Sequence, residues 1–198
     1  MSQIPELMAG RALGHGIGLS VDHGLGSGSK MYVGGQANAD VAAGSTTATS
    51  DAENECTEYV IPANTLVAGS TIRVRWVTAT SASTSTDTLI TRLRFGTSTT
   101  ASSNTECAVN TAVDQTNGDF SVGDMTIQIR TATTAVAFGT ISDSDGLGTK
   151  LVSAQFEPSF TVDVTAVNYI NVTTLFSTTG ANLATTQGFV VDIVNPST

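Results

Sequence analysis

From Cys56 almost to the C-terminus the chain is written on a period of two, and that period restricts it to strands. In Thr71 to Thr78 the residues Ile72, Val74 and Trp76 alternate with Arg73 and Arg75. Leu89, Leu93 and Phe95 oppose Arg92 and Arg94, and Met125, Ile127 and Ile129 alternate with Thr126, Gln128 and Arg130. Successive side chains of a strand point to opposite faces, so such segments have one face to bury and one to leave in water. Tyr59-Val60-Ile61 reads as a strand end before the turn Pro62-Ala63-Asn64. Further strands are predicted at Val136–Ile141, Leu151–Phe156, Val167–Phe176 and Phe189–Val194, with Ser81–Thr86 a linker and Gly180–Gly188 a loop. About eight strands with turn-rich connections and no amphipathic helix predict an all-β fold: an antiparallel β-sandwich with jelly-roll topology.

The texture changes near residue 50. About ten of the 19 glycines and both histidines precede it, but only one of the aromatics, Tyr32. Gly14, Gly16, Gly18, Gly24, Gly26 and Gly28 would each destabilise a helix by about 0.5–1 kcal/mol relative to alanine. Residues 37–50 have the composition of a linker. The predicted organisation is an extended glycine-rich N-terminal arm and linker over residues 1–50, then the sandwich over residues 51–198. An arm with too few apolar residues for a core of its own, yet with Ile4, Leu7, Met8, Leu13, Ile17, Leu19, Val21 and Leu25 spaced along it, is expected to lie on a partner.

Charged residues make up 13% of the chain, against about 25% in an ordinary soluble domain. A surface of Thr, Ser, Ala and Gly suits close packing against neighbours. A net charge of -9 argues against nucleic acid and against an anionic membrane as partner, since phosphate binding needs a basic face. No run of about 18 apolar residues is present, and Met1–Met8 shows no basic segment leading into an apolar run. The expectation is a chain made and kept in the cytosol until it assembles. Cys56 and Cys107 are expected as unpaired thiols at strand ends, disulfides being rare in reducing compartments.

The stretch from Tyr59 to Arg75 contains Ile61-Pro62-Ala63-Asn64-Thr65-Leu66, then a glycine turn at Gly69, then Ile72, Arg73, Val74 and Arg75 in alternation. With Asp87–Gly96 and the closing Gly188–Val194, it resembles the jelly-roll structural proteins of tailed-phage virions, of the capsid decoration (cement) type. The resemblance spans roughly residues 55–195 and excludes the arm. It implies a homotrimer bound to the major capsid protein on the capsid surface, assembled in the host cytoplasm. A receptor-binding or fibre head at a tail or vertex is the alternative. Tail-fibre modules tend to carry collagen-like, coiled-coil or repeat segments before the head domain, and this arm has none. A carbohydrate-binding sandwich is a third reading. It would need exposed aromatics, whereas only Tyr32, Tyr59 and Tyr169 look placed for the surface.

Catalysis is not expected. Gly24-Leu25-Gly26-Ser27-Gly28-Ser29-Lys30 lacks phosphate-loop spacing, and Gly14-His15-Gly16 lacks the rest of a dinucleotide fingerprint. His15, Asp22 and His23 offer too few ligands per chain for a metal. Asp143-Ser144-Asp145-Gly146 has no closing glutamate and reads as an Asp-Gly turn rather than a calcium loop. No Gly-x-Ser-x-Gly elbow occurs, and neither histidine falls in the sandwich. No cofactor and no metal are therefore expected. Arg73, Arg75, Arg92 and Arg94, half of the eight positive charges, are the remaining candidates for a subunit interface. If their two strands lie side by side they form one patch, facing either local carboxylates or those of a neighbouring subunit.

Overall fold

The computed structural model of the chain describes residues 44–48, 53–82, 88–110, 112–114, 118–144, 150–177 and 182–196. The arm residues Ile4, Leu7, Met8, Leu13, Ile17, Leu19, Val21 and Leu25 lie outside them, as do His15, Asp22 and His23. Among the described residues eleven strands run in chain order: β1 (Gly44–Ala48), β2 (Asn54–Ile61), β3 (Thr71–Ala82), β4 (Thr88–Gly96), β5 (Thr105–Val109), β6 (Val113–Asp114), β7 (Phe120–Thr131), β8 (Thr134–Ser144), β9 (Lys150–Thr161), β10 (Asn168–Phe176) and β11 (Asn182–Val194). A single 3₁₀ turn, Ala101–Ser103, is the one helical element among the described residues.

Two antiparallel sheets result. One has six strands in the order β1-β11-β3-β7-β8-β9, the other has β2-β10-β4-β5 with β6 added beside β4. The late strands β10 and β11 each insert between early strands, β10 between β2 and β4 and β11 between β1 and β3. This interleaving of the two ends of the chain across both sheets is the predicted jelly-roll sandwich.

Alternation puts the core where the two sheets face each other. Ile72, Val74 and Trp76 of β3, Met125, Ile127 and Ile129 of β7 and Phe189, Val191 and Ile193 of β11 meet Leu93 and Phe95 of β4 and Ile170 and Val172 of β10. Trp76 is nearly fully buried because its strand partner on β7 is Gly123, whose missing side chain leaves room for the indole ring. Phe95 and Phe160 meet edge to face at 6.2 Å between centroids, a favoured aromatic geometry.

Several boundaries differ from expectation. Gly44–Ala48, read as linker, is a strand paired with β11. Of the expected loop Gly180–Gly188, residues Asn182 to Gly188 belong to β11, which pairs with β3 through a bulge between Thr186 and Gly188. β5 and β6 were not anticipated. Cys56 and Cys107 form no disulfide and are buried, but both lie inside strands rather than at their ends. Asp143 and Ser144 belong to β8, with Asp143 buried between the sheets, while Asp145 and Gly146 of the expected Asp-Gly turn lie outside the described residues.

Candidate functional site: the two outer faces of the sandwich

The four arginines do not form one patch. Arg73 and Arg75 belong to β3 in the six-stranded sheet, while Arg92 and Arg94 belong to β4 in the other. Their inward neighbours Trp76 and Phe95 share one core, so the two pairs point away from each other, onto opposite outer faces.

On the six-stranded face the arginines sit between aspartates of both flanking strands. Arg73 donates from Nε and Nη2 to the two carboxylate oxygens of Asp124 at 3.0 and 2.7 Å. Arg75 donates from Nη2 to Asp192 at 3.2 Å. Each pairing runs diagonally, because the direct partners in register are Arg75 with Asp124 and Arg73 with Asp192. The hydrogen bond from Arg73 holds the Asp124 carboxyl below its usual range. These side chains are a third to a half exposed, so the pairs are local partners in water and contribute little to stability.

The five-stranded face is organised differently. Glu53, just before β2, receives Arg94 Nε at 2.5 Å and Nη2 at 2.7 Å, and the hydroxyl of Thr173 donates to it as well. Arg92 Nε donates to Glu106 at 2.8 Å. Asn171 Nδ2 donates to both Glu55 and Glu58, at 3.0 and 3.1 Å, while its Oδ1 accepts from Asn104 at 3.1 Å. The side chains of Arg92, Arg94 and Glu53 are only 12–15% exposed although they lie on an outer face. Burial alone would raise the carboxyl of Glu53, but hydrogen bonds from Arg94 and Thr173 and both guanidinium charges prevail and hold it low. Burial and the neighbouring Glu58 push Glu55 up. This is an ionic network whose arginines are largely committed within the chain.

The edge of the six-stranded sheet holds what the sequence concealed. On β9 the residues Val152, Ala154 and Phe156 face outward, and Phe156 is 70% exposed. Phe138 of β8, its direct partner in register, is 44% exposed. Meanwhile Ser153 and Gln155 face inward. Gln155 Oε1 accepts the backbone N–H of Val109 in the opposite sheet at 3.0 Å, and Gln155 Nε2 donates to Ser153 Oγ at 3.0 Å. Over residues 152–156 the strand is thus turned inside out, apolar to solvent and polar to the interior, whereas Phe160 farther along it is buried in the core. Phe120, at the start of β7, is also exposed. The expectation that only tyrosines reach the surface is corrected: three phenylalanines do, and Tyr59 packs against the core. The signal available in the sequence was the pair Ser153 and Gln155 alternating with Val152, Ala154 and Phe156, which fixes the strand but not its facing.

Thus the outer face of the six-stranded sheet runs from Arg–Asp pairs over β11, β3 and β7 to an apolar strip over β8 and β9. Among the described residues no group of three or more His, Cys, Asp or Glu side chains is arranged to hold a metal. At one end of the sandwich a cleft is lined by Gly96, Ser98, Asn104, Thr105, Val162 and Asp163, among others.

No protein-family model matches the chain. No curated protein matches its sequence. Among solved structures, lectin UEA-II complexed with galactose is similar at 10% identity and a TM-score of 0.40, over 75% of this chain and 84% of the lectin. The metal-free lectin I-B4 of Griffonia simplicifolia is similar at 10% identity and a TM-score of 0.33, over 71% of this chain and 79% of that one. A chain of infectious bursal disease virus, Gx strain, is similar at 11% identity and a TM-score of 0.33, over 79% of this chain and 30% of its own length. Likenesses this distant carry no weight for fold or function, which rest on the strands and side chains themselves.

Proposed function

We propose that this chain is a non-catalytic structural protein of a phage virion, a decoration protein that self-associates, as a homotrimer, and binds the major capsid protein on the capsid surface after synthesis in the host cytoplasm. The observation that carries the assembly part is the inverted strand β9. Three apolar side chains facing water beside Phe138, while Ser153 and Gln155 face the core, reverse the partition that the hydrophobic effect imposes on a free sheet face. Protein contact would restore it. The rim suits such a contact too, since interfaces combine an aromatic centre with arginine and a polar border, and Arg73 and Arg75 stand on the same face, with β7 and β8 between them and β9. Arg92 and Arg94 enter more weakly, their guanidinium groups being engaged by Glu53 and Glu106. The virion assignment rests on the resemblance of Tyr59–Arg75, Asp87–Gly96 and Gly188–Val194. The arm, with Ile4 to Leu25, is proposed as the part that clasps the capsid.

Two measurements test this. Phe156→Glu with Phe138→Glu should dissociate the oligomer in sedimentation velocity without unfolding the sandwich, and an unchanged sedimentation coefficient would reject the interface. Deleting residues 2–35 should abolish binding to empty shells while leaving the sandwich folded and oligomeric. Undiminished shell binding would reject the clasp.

A second reading has one observation in its favour. Phe138 and Phe156 side by side on an exposed sheet face could stack on a sugar ring, as carbohydrate-binding sandwiches require of their aromatics. Glycan binding by the wild type that is lost in Phe156→Ala, together with an unaltered oligomer, would favour it over the virion role.

A further inference from the structure

The interior of the sandwich is not apolar throughout. One row of side chains crosses four adjacent strands in strict register: Thr186 of β11 opposite Thr78 of β3, Thr78 opposite Ser121 of β7, and Ser121 opposite Asp143 of β8. All four are buried and all face inward. Facing them are Thr91 of β4, Thr174 of β10 and Asn110, which follows β5, all also buried. At the Asp143 end the layer is closed by hydrogen bonds: Ser121 Oγ donates to Asp143, Asn110 Nδ2 donates to the same carboxylate at 2.9 Å, and Thr91 N donates to Asn110 Oδ1 at 2.7 Å. This layer separates the main core from the small cluster Leu89, Phe176 and Ala184.

The other end of the layer is not closed by protein. Thr78 Oγ1 and Thr186 Oγ1, on residues directly opposite each other, have no hydrogen-bond partner among the described residues. Nor does Trp76 Nε1, carried by the preceding inward position of β3. All three residues are at most 1% exposed. A buried hydroxyl or indole N–H left unmade costs about 1–3 kcal/mol, and three such groups in neighbouring positions are rare in a native interior. The bulge between Thr186 and Gly188 falls at this point of β11, where it locally disturbs the ladder.

We infer that this end of the polar layer is a binding site for ordered internal water, held by the hydroxyls of Thr78 and Thr186 and by the indole N–H of Trp76. Water is the ligand that fits the chemistry. The two hydroxyls can each donate and accept, the indole only donates, and a buried water is ordinarily held by about three such bonds. A charged ligand is disfavoured there, because the layer's one carboxylate, Asp143, is already engaged by Ser121 and Asn110. The inference is independent of the proposed virion role.

The sign of a stability change separates this site from three merely unsatisfied groups. Valine is close to threonine in shape and lacks the hydroxyl. If the hydroxyls hold water, Thr78→Val and Thr186→Val each lower the melting temperature of the full-length protein. If they are unsatisfied, each raises it. Oxygen-17 magnetic relaxation dispersion, which counts long-lived waters, gives the second reading. The dispersion amplitude is expected to fall in Thr78→Val relative to wild type and to persist in Thr78→Ser, which keeps the hydroxyl. A raised melting temperature in the valine variants, or an amplitude unchanged between wild type and Thr78→Val, overturns the inference.

Discussion

Two carboxyls, the half-buried Glu53 and the buried Asp143, are shifted in opposite directions. Arg94, Arg92 and Thr173 hold Glu53 below its ordinary value of 4.5. Its contribution to stability is therefore complete above the unfolded value and is lost as pH falls through the lower folded value. Glu53→Gln should cost about 2 kcal/mol at neutral pH, the scale of hydrogen bonds to charged groups, and urea denaturation should show that gap closing below about pH 4. Asp143 is the reverse case. Burial raises it above 3.8, more than the donors Ser121 and Asn110 lower it. Its contribution is complete below the unfolded value and is lost as pH rises through the higher folded one. Asp143→Asn should remove that part of the slope, which the same titration of unfolding free energy against pH measures. Cys107, buried and pushed well above an ordinary thiol, should react with a maleimide only after unfolding.

At the scale of strands, one glycine sets the packing of the core. A methyl group at position 123 would overlap the six-membered ring of Trp76, whose side chain is buried in the core. Gly123→Ala should lower the unfolding free energy by about 2–3 kcal/mol. Pairing it with Trp76→Phe should recover part of the loss, which a double-mutant cycle in urea reads directly. The legibility of the strands follows a related logic. β3, β4 and β7 were plain in the sequence because one face is Ile, Val, Leu, Met or aromatic and the other charged or polar. The start of β11 was hidden because Ala184, Thr185 and Thr186 go inward or are covered without an apolar signature. In β8 both faces are apolar, Ala135, Ala137 and Ile141 against Val136 and Phe138, so period two could not say which side is the core. In β9 period two marks the strand but not its facing: Gln155 turns inward, where its Oε1 accepts the backbone N–H of Val109 in the opposite sheet. The arginine patch failed for a topological reason. β3 and β4 are consecutive strands that cross between sheets, and no local pattern records that crossing.

For the whole molecule, stability and assembly should separate cleanly. Phe156 and Phe138 touch water in the isolated chain, and replacing such residues with serine should move the unfolding free energy by no more than about 0.5 kcal/mol. The same variants should shift the self-association constant strongly, and sedimentation equilibrium distinguishes the two effects. The sheet order also carries a geometric consequence. The six-stranded sheet begins at β1, a short strand, and ends at β9, a long strand that turns Val152, Ala154 and Phe156 outward. Its two margins are unlike. A copy that offers its β9 margin to a different surface of the next copy forms a head-to-tail contact, and repetition of one such contact either closes a ring or runs on as a fibre. The rotation per step decides between them, and a closed ring of three requires a turn of about 120° at each contact.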